Sequence, residues 1–302
     1  MPSFGLGQSN SVTLETELDG STTLRIVGTT DRDRTRVFAN RNGVVVDYNG
    51  QRTTYAEMID QISYEGLQGN DRFVNDTLIK TEAFGGSGND YLRSDGEALL
   101  FGENGNDDLF GSDFADTISG GLGEDLIFSY GDNDIIDGGE DDDVIYSGDG
   151  DDTVAGGTGD DTIFGQNGAD ILSGEDGEDV LYGGSGDDQL IGGEADDKLY
   201  GNADNDSLFG GNGEDDLFGQ SGSDFLCGDD GDDKLRGNSG ADELRGGNGD
   251  DDLNGGAGTD VEDQDGVCED SVTAESEVRL TVDVALMLET DLGLELIESA
   301  PF

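Results

Sequence analysis

The chain of 302 residues has no histidine, 2 prolines, 2 cysteines and only 14 lysines and arginines, against 72 acidic residues. Each shortage removes a class of chemistry. Without histidine there is no Ser-His-Asp triad, no histidine-activated cysteine and no H-E-x-x-H zinc site. A formal charge of −58 repels nucleic-acid phosphates and anionic lipid head groups, which argues against partners of either kind. Cys227 and Cys268 are too few for a disulfide framework; they either pair in an oxidising compartment or stay isolated thiols. No apolar run is long enough to span a bilayer, and residues 1–10 lack the basic and apolar regions of a secretory signal peptide.

Acid and glycine are plentiful instead, and both are concentrated. Residues 1–101 carry 15 acids and 9 bases, residues 102–263 carry 47 and 4, and residues 264–302 carry 10 and 1. The middle block holds most of the 53 glycines and is periodic. From Gly102 it divides without insertion into 18 nine-residue units, such as Gly156-Gly157-Thr158-Gly159-Asp160-Asp161-Thr162-Ile163-Phe164. The sixth position is aspartate in every unit: Asp107, Asp116, Asp125, Asp134, Asp143, Asp152, Asp161, Asp170, Asp179, Asp188, Asp197, Asp206, Asp215, Asp224, Asp233, Asp242, Asp251 and Asp260. The eighth is aliphatic from Leu109 and Ile118 onward to Leu253, and Glu262 ends the series. An acidic disordered tract would explain the composition but not two fixed positions.

That spacing has a physical reading. A six-residue glycine-rich turn reaches backbone conformations closed to other residues, then feeds a short strand whose middle residue, position eight, points inward. Two units make one flattened coil, and stacked coils place aspartate above aspartate. Such rows need a counter-ion. Carboxylates and turn carbonyls are the hard oxygen ligands that Ca²⁺ takes, six or more per ion. Softer metals would want the histidines and thiolates that are scarce here.

The pattern G-G-x-G-x-D-x-U-x, with U a large aliphatic residue, resembles the RTX, or hemolysin-type, calcium-binding repeat of bacterial secreted proteins. The resemblance covers residues 102–263 cleanly, and outlying copies stand at Gly85-Gly86-Ser87-Gly88-Asn89-Asp90-Tyr91-Leu92-Arg93 and Gly66-Leu67-Gln68-Gly69-Asn70-Asp71-Arg72-Phe73-Val74. It implies an all-β fold, a parallel β-roll, with a calcium ion between each loop and the next on the same side. Nine loops per side leave about eight gaps each, hence ~16 ions held by the position-six aspartates.

Departures from the pattern mark weak places. Position four is Phe114, Asp132, Asp141, Ala195 or Asp204 instead of glycine in five units, and phenylalanine and alanine tolerate a left-handed backbone least. The loops of Phe114 and Ala195 are therefore the doubtful sites. Ala98 stands where an aspartate is expected and should interrupt the ion row, while Leu100 keeps an apolar position. At position nine, Phe110, Phe128, Tyr146, Phe164, Tyr182, Tyr200 and Phe218 recur every 18 residues on one outer face. They read as a stacking ladder, or as an adhesive face for self-association or a cell-surface partner.

The flanks divide the chain into residues 1–84, expected to form an irregular β cap, the roll at 85–263, and residues 264–302. In the last, Val278, Leu280, Val282 and Val284 alternate as in a strand. The segment reads as a C-terminal cap or as the type I secretion signal that accompanies RTX repeats. Three functions follow. The first is a secreted, extracellular calcium-binding protein that folds on Ca²⁺ ligation, non-enzymatic, with a structural or adhesive role. The second is the secretion or targeting module of an extracellular enzyme or toxin-like protein, although residues 1–84 contain no catalytic constellation. The third is an anionic ion-buffering matrix without an ordered ladder.

Overall fold

A computed structural model of the chain describes residues 11–16, 20–264, 266, 268, 278 and 282. Short β-prone runs broken by Asp, Asn and Gly become β1 (Ser11–Thr16), β2 (Thr22–Val27), β3 (Arg34–Asn40), β4 (Gly43–Tyr48), β5 (Gln51–Tyr55) and β6 (Gln61–Glu65). After them come β7 (Arg72–Asp76), β8 (Lys80–Ser87), β9 (Tyr91–Ser94), β10 (Ala98–Asn104) and a series of similar strands ending at Val261–Asp263. They assemble into two sheets, of 14 and 15 strands. From β6 to the strand Asp252–Asn254 successive strands alternate between the sheets, giving a parallel β-solenoid of about 11 turns, the β-roll expected from the repeat. Among the described strands only β1–β2 and the meander β3–β4–β5 pair antiparallel.

Register follows the period. Leu109 lies opposite Ile127 in one sheet and Ile118 opposite Ile136 in the other, each one coil apart. Position eight of every unit from Leu109 to Leu244 is 0% exposed, so the interior is two columns of aliphatic side chains. Leu24, Ile26, Ile62, Tyr64, Phe73 and Leu92 belong to the same buried cluster, which makes the N-terminal strands part of one continuous core. Leu100 is buried in it as well, and Ala98 keeps register by donating its N–H to Asp116 Oδ1 at 2.6 Å. At the far end Leu253 is half-buried, and the Glu262 carboxylate accepts from the Gly255 N–H at 2.8 Å.

The two outer faces differ. On the 15-stranded sheet the rings of Phe110, Phe128, Tyr146, Phe164, Tyr182, Tyr200 and Phe218 stack with centroids 4.6–5.5 Å apart and planes within 8° of parallel. That spacing is close to the distance between adjacent strands, so ring faces are consumed within the stack and ring edges point outward. Each ring stays partly exposed.

On the 14-stranded sheet Ala155, Ile191, Phe209 and Cys227 form an outward apolar row, which Val278 and Val282 cover. Both valines carry helical backbone. At these two positions the backbone departs from the strand read at Val278–Val284, and both side chains meet an apolar sheet. Leu280, Val284 and nearly all of 264–302, including any secretion signal, lie outside the described residues. Cys227 and Cys268 are joined by a disulfide with Cα atoms 6.0 Å apart, closing a 41-residue separation.

That bond ties the C-terminal segment to the sheet. Replacing both cysteines with alanine is expected to lower the stability of the calcium-loaded protein by ~2–4 kcal/mol. Proteolytic cleavage after residue 263 should accelerate, with the far-UV circular dichroism of the roll unchanged. Identical cleavage kinetics would contradict this role.

Candidate metal centre

Most turns build the same small chamber, with serine in place of the first glycine at Ser129 and Ser147. In the unit Gly120-Gly121-Leu122-Gly123-Glu124-Asp125-Leu126-Ile127-Phe128, Gly121 and Gly123 take φ of +111° and +113°, which turn the chain over the end of the coil. Gly120 is required for space: a Cβ there would collide with Asp125 Oδ2 and with the Gly138 carbonyl oxygen of the next coil. Those two oxygens, a carboxylate and a turn carbonyl from successive loops, converge on one point.

The position-six aspartates from Asp107 to Asp242 are 0–3% exposed. Their Oδ1 atoms are used by the chain itself, each accepting the backbone N–H of the residue one coil earlier, which is Ala98 for Asp116 and an aspartate for all the others. Asp107 donates to Asp125 at 2.6 Å, Asp134 to Asp152 at 2.9 Å and Asp197 to Asp215 at 2.8 Å. The second oxygen, Oδ2, is buried with no hydrogen-bond partner. This holds in one row at Asp71, Asp90, Asp107 and every position-six residue of that side through Asp251, and in the other row from Asp134 through Asp242. A buried carboxylate oxygen without a donor is costly, and repeated in rows it calls for a cation.

Electrostatics agree. Burial pushes the carboxyl of Asp107 up to about 8, Asp125 to about 7, Asp143 to about 8 and Asp197 to about 9. The donated backbone N–H opposes this in every case, and for Asp107, Asp143 and Asp197 the aspartates one coil above and below add to the rise. The donor set is all oxygen, negatively charged and repeated at the coil spacing, which fits Ca²⁺. Cys227, Asp229 and Cys268 also lie within 4.8 Å of one another, but the two sulfurs are bonded to each other and offer no thiolate.

The two loops marked as doubtful behave differently. Ala195 adopts the left-handed backbone at φ +78°, and the Asp197 chamber keeps its open oxygen. The strain of such a non-glycine residue is ~1 kcal/mol, small beside the rest of the coil. Phe114 does not take a positive φ. In its loop Ser112 donates its N–H and hydroxyl to Asp116 Oδ2 at 2.6 and 3.1 Å, so that carboxylate is satisfied by the chain. Asp260, at the opposite end of the same row, is only half-buried.

One further unit was hidden in the sequence. Gly28-Thr29-Thr30-Asp31-Arg32-Asp33-Arg34-Thr35-Arg36 stacks on the unit at 66–74, with the Asp33 N–H donating to Asp71 Oδ1 at 2.7 Å. Its only signals are a leading glycine and an aspartate at position six, and the β4–β5 insertion removes it from the 18-residue register. Asn49 and Thr29 donate to the Asp33 carboxylate at 2.7 and 2.6 Å. Both rows therefore begin at an aspartate capped by the chain.

Residues 101–136, 128–163, 155–190, 164–199, 191–226 and 228–262 match the RTX calcium-binding nonapeptide repeat, over more than half of the chain. The chain belongs to the RTX calcium-binding repeat family. Calcium binding is the property of that family, and the matched residues carry most of the orphaned oxygens of this RTX roll. No curated protein matches the chain.

The raised carboxyl values fix the sign of a pH effect. The folded roll without metal binds more protons than the unfolded chain, whose aspartates titrate near ~4. Metal-free stability is therefore greatest below that value and is lost as pH rises through the range of about 6 to about 9 set by Asp188 and Asp197. In metal-free buffer the β signal in far-UV circular dichroism should grow as pH is lowered from 9 to ~5. With calcium present the trend should reverse, because protons and ions compete for the same oxygens. A metal-free spectrum independent of pH would refute the assignment.

Proposed function

We propose that this RTX protein is an extracellular, non-enzymatic calcium-binding rod that folds when it meets calcium outside the cell, reached by a type I export route. The observation that carries the reading is the pair of rows of buried, unpartnered Oδ2 atoms. At cytosolic calcium the rows repel and the unfolded chain suits export. At extracellular calcium, sites of the weak class fill and folding follows by mass action. RTX repeat proteins are typically secreted, and the Cys227–Cys268 disulfide suits an oxidising compartment. Among the described residues no helix is long and apolar enough to cross a membrane.

The rows are unequal. Orphaned oxygens run from Asp71 to Asp251 on one side and from Asp134 to Asp242 on the other, so the ions divide as ~10 and ~6, again ~16 in all. Adding calcium to chelated protein near neutral pH should convert a disordered far-UV spectrum to a β spectrum, with about that many ions bound per chain when counted by mass spectrometry of the metal. A β-rich spectrum already present in chelator would defeat the proposal.

The structural or adhesive role rests on the aromatic ladder, whose partly exposed edges form the longest apolar strip on the 15-stranded sheet. Its neighbour-to-neighbour stacking contributes ~0.5–1.5 kcal/mol per pair, and the outer edges are available to a second chain. Changing Phe128, Tyr146, Phe164 and Tyr182 to serine should weaken self-association in sedimentation velocity. Loss of thermal stability with association unchanged would restrict the ladder to a stabilising role.

A further inference from the structure

The outward rows of the 15-stranded sheet change chemistry at their N-terminal end. Along the roll, position seven carries Leu126, Val144, Thr162 and Val180, and position nine carries the aromatic ladder. In the coils of β3, β7 and β9 the same rows present Arg34 and Arg72 at position seven, and Arg36 and Arg93 at position nine. These four arginines line one open cavity of about 480 Å³, with Asp47 and Asp76 on its wall. Nearly a third of the chain's 14 basic residues meet in one place on a protein of charge −58.

The carboxylates of the cavity are already engaged. Asp47 pairs with Arg52 at 2.7 Å, and Asp76 pairs with Arg36 and, at 3.7 Å, with Arg93, which also pairs with Asp95. Among the described residues no carboxylate lies within ion-pair distance of Arg34 or Arg72. These two are Cα partners in parallel register, so two like charges sit side by side on adjacent strands. Such a pairing is destabilising unless something anionic is shared between them. Arg72 is also held in place: its guanidinium lies 3.8 Å from the Tyr91 ring centroid, leaving its donor edge free for an acceptor. Val74, 5% exposed, stands in the position-nine row between Arg36 and Arg93 and gives the cavity an apolar lining, so bonds formed beside it are partly shielded from water.

We propose that this cavity binds a small ligand through a tetrahedral oxyanion, a phosphate or sulfate ester, bridged by the guanidinium forks of Arg34 and Arg72. Arg36 and Arg93, oriented by Asp76, form the second side of the cradle. Two planar forks at strand spacing match the several acceptor oxygens of such a group, whereas Ca²⁺ is repelled. The site is separate from the metal rows and does not depend on their occupancy beyond the folded state of the roll.

The test is isothermal titration calorimetry of the full, calcium-loaded chain against inorganic sulfate, a hexose 6-sulfate and a hexose 6-phosphate. One-to-one binding is expected for at least one ester, and the stronger of the two arms identifies the source of the oxyanion. The double variant R34Q/R72Q should bind about tenfold or more weakly, from the loss of charged hydrogen bonds. Its thermal midpoint in calcium should be unchanged or higher, because the like-charge pair is gone. R72K, which keeps the charge and loses the fork, should also weaken binding. K234Q/R236Q, at the other end of the same sheet, should bind as the wild type does. Absence of binding by the wild type to all three anions, or equal affinity in R34Q/R72Q, overturns the proposal. So does a change confined to self-association, which would assign the arginines to the acidic surface of a second copy.

Discussion

A carboxylate oxygen buried with no donor is the constraint on which this structure rests. The chain satisfies one oxygen of each position-six aspartate with the backbone N–H of the preceding coil and leaves the other open toward a turn carbonyl. Glycine at the first position of a unit, the left-handed turn at the second and fourth, and the inward aliphatic at the eighth all serve to bring such oxygens together. Of the 72 acidic residues, 18 are the position-six aspartates of residues 102–263, which the coil brings into two rows. About 16 calcium ions would add ~32 positive charges and bring the chain from −58 to about −26.

The same translation that stacks ligands also stacks whatever points outward. On one sheet it makes a ladder of rings and, where the residues change, a grid of arginines. On the other it makes an apolar row that two helical valines and a disulfide close over. A solenoid thus lets one period carry three different surfaces, because alternate units face opposite sheets and the outward residues of a row can change along its length. Substitutions at a terminal coil alter local chemistry while the core columns stay aliphatic from Leu109 to Leu244.

Much of the fold was legible because the period is strict. Aspartate at six and an aliphatic at eight, repeated without insertion, leave a parallel roll as the arrangement that buries one and aligns the other. Legibility failed where geometry and not residue type decided. Ala195 and Phe114 are similar departures on paper, yet the first follows the left-handed turn and the second lets Ser112 close on Asp116. The unit ending in Arg36 escaped notice because a β-meander separates it from its neighbours in sequence while leaving it stacked in space. Val278 and Val282 belong to an alternation that reads as a strand, yet both have helical backbone where they lie against the apolar sheet.

By itself the sequence determined the period, the composition of each row and the kind of ion the rows accept, since those are properties of a repeating unit. Tertiary structure alone decided which carboxylates remain open and which the chain caps, how the open ones divide between the two sides, and that Cys227 meets Cys268. It alone decided that four arginines from three strands share one cavity. These depend on distances between residues tens of positions apart, which a period conveys within the repeat and loses wherever the repeat is broken.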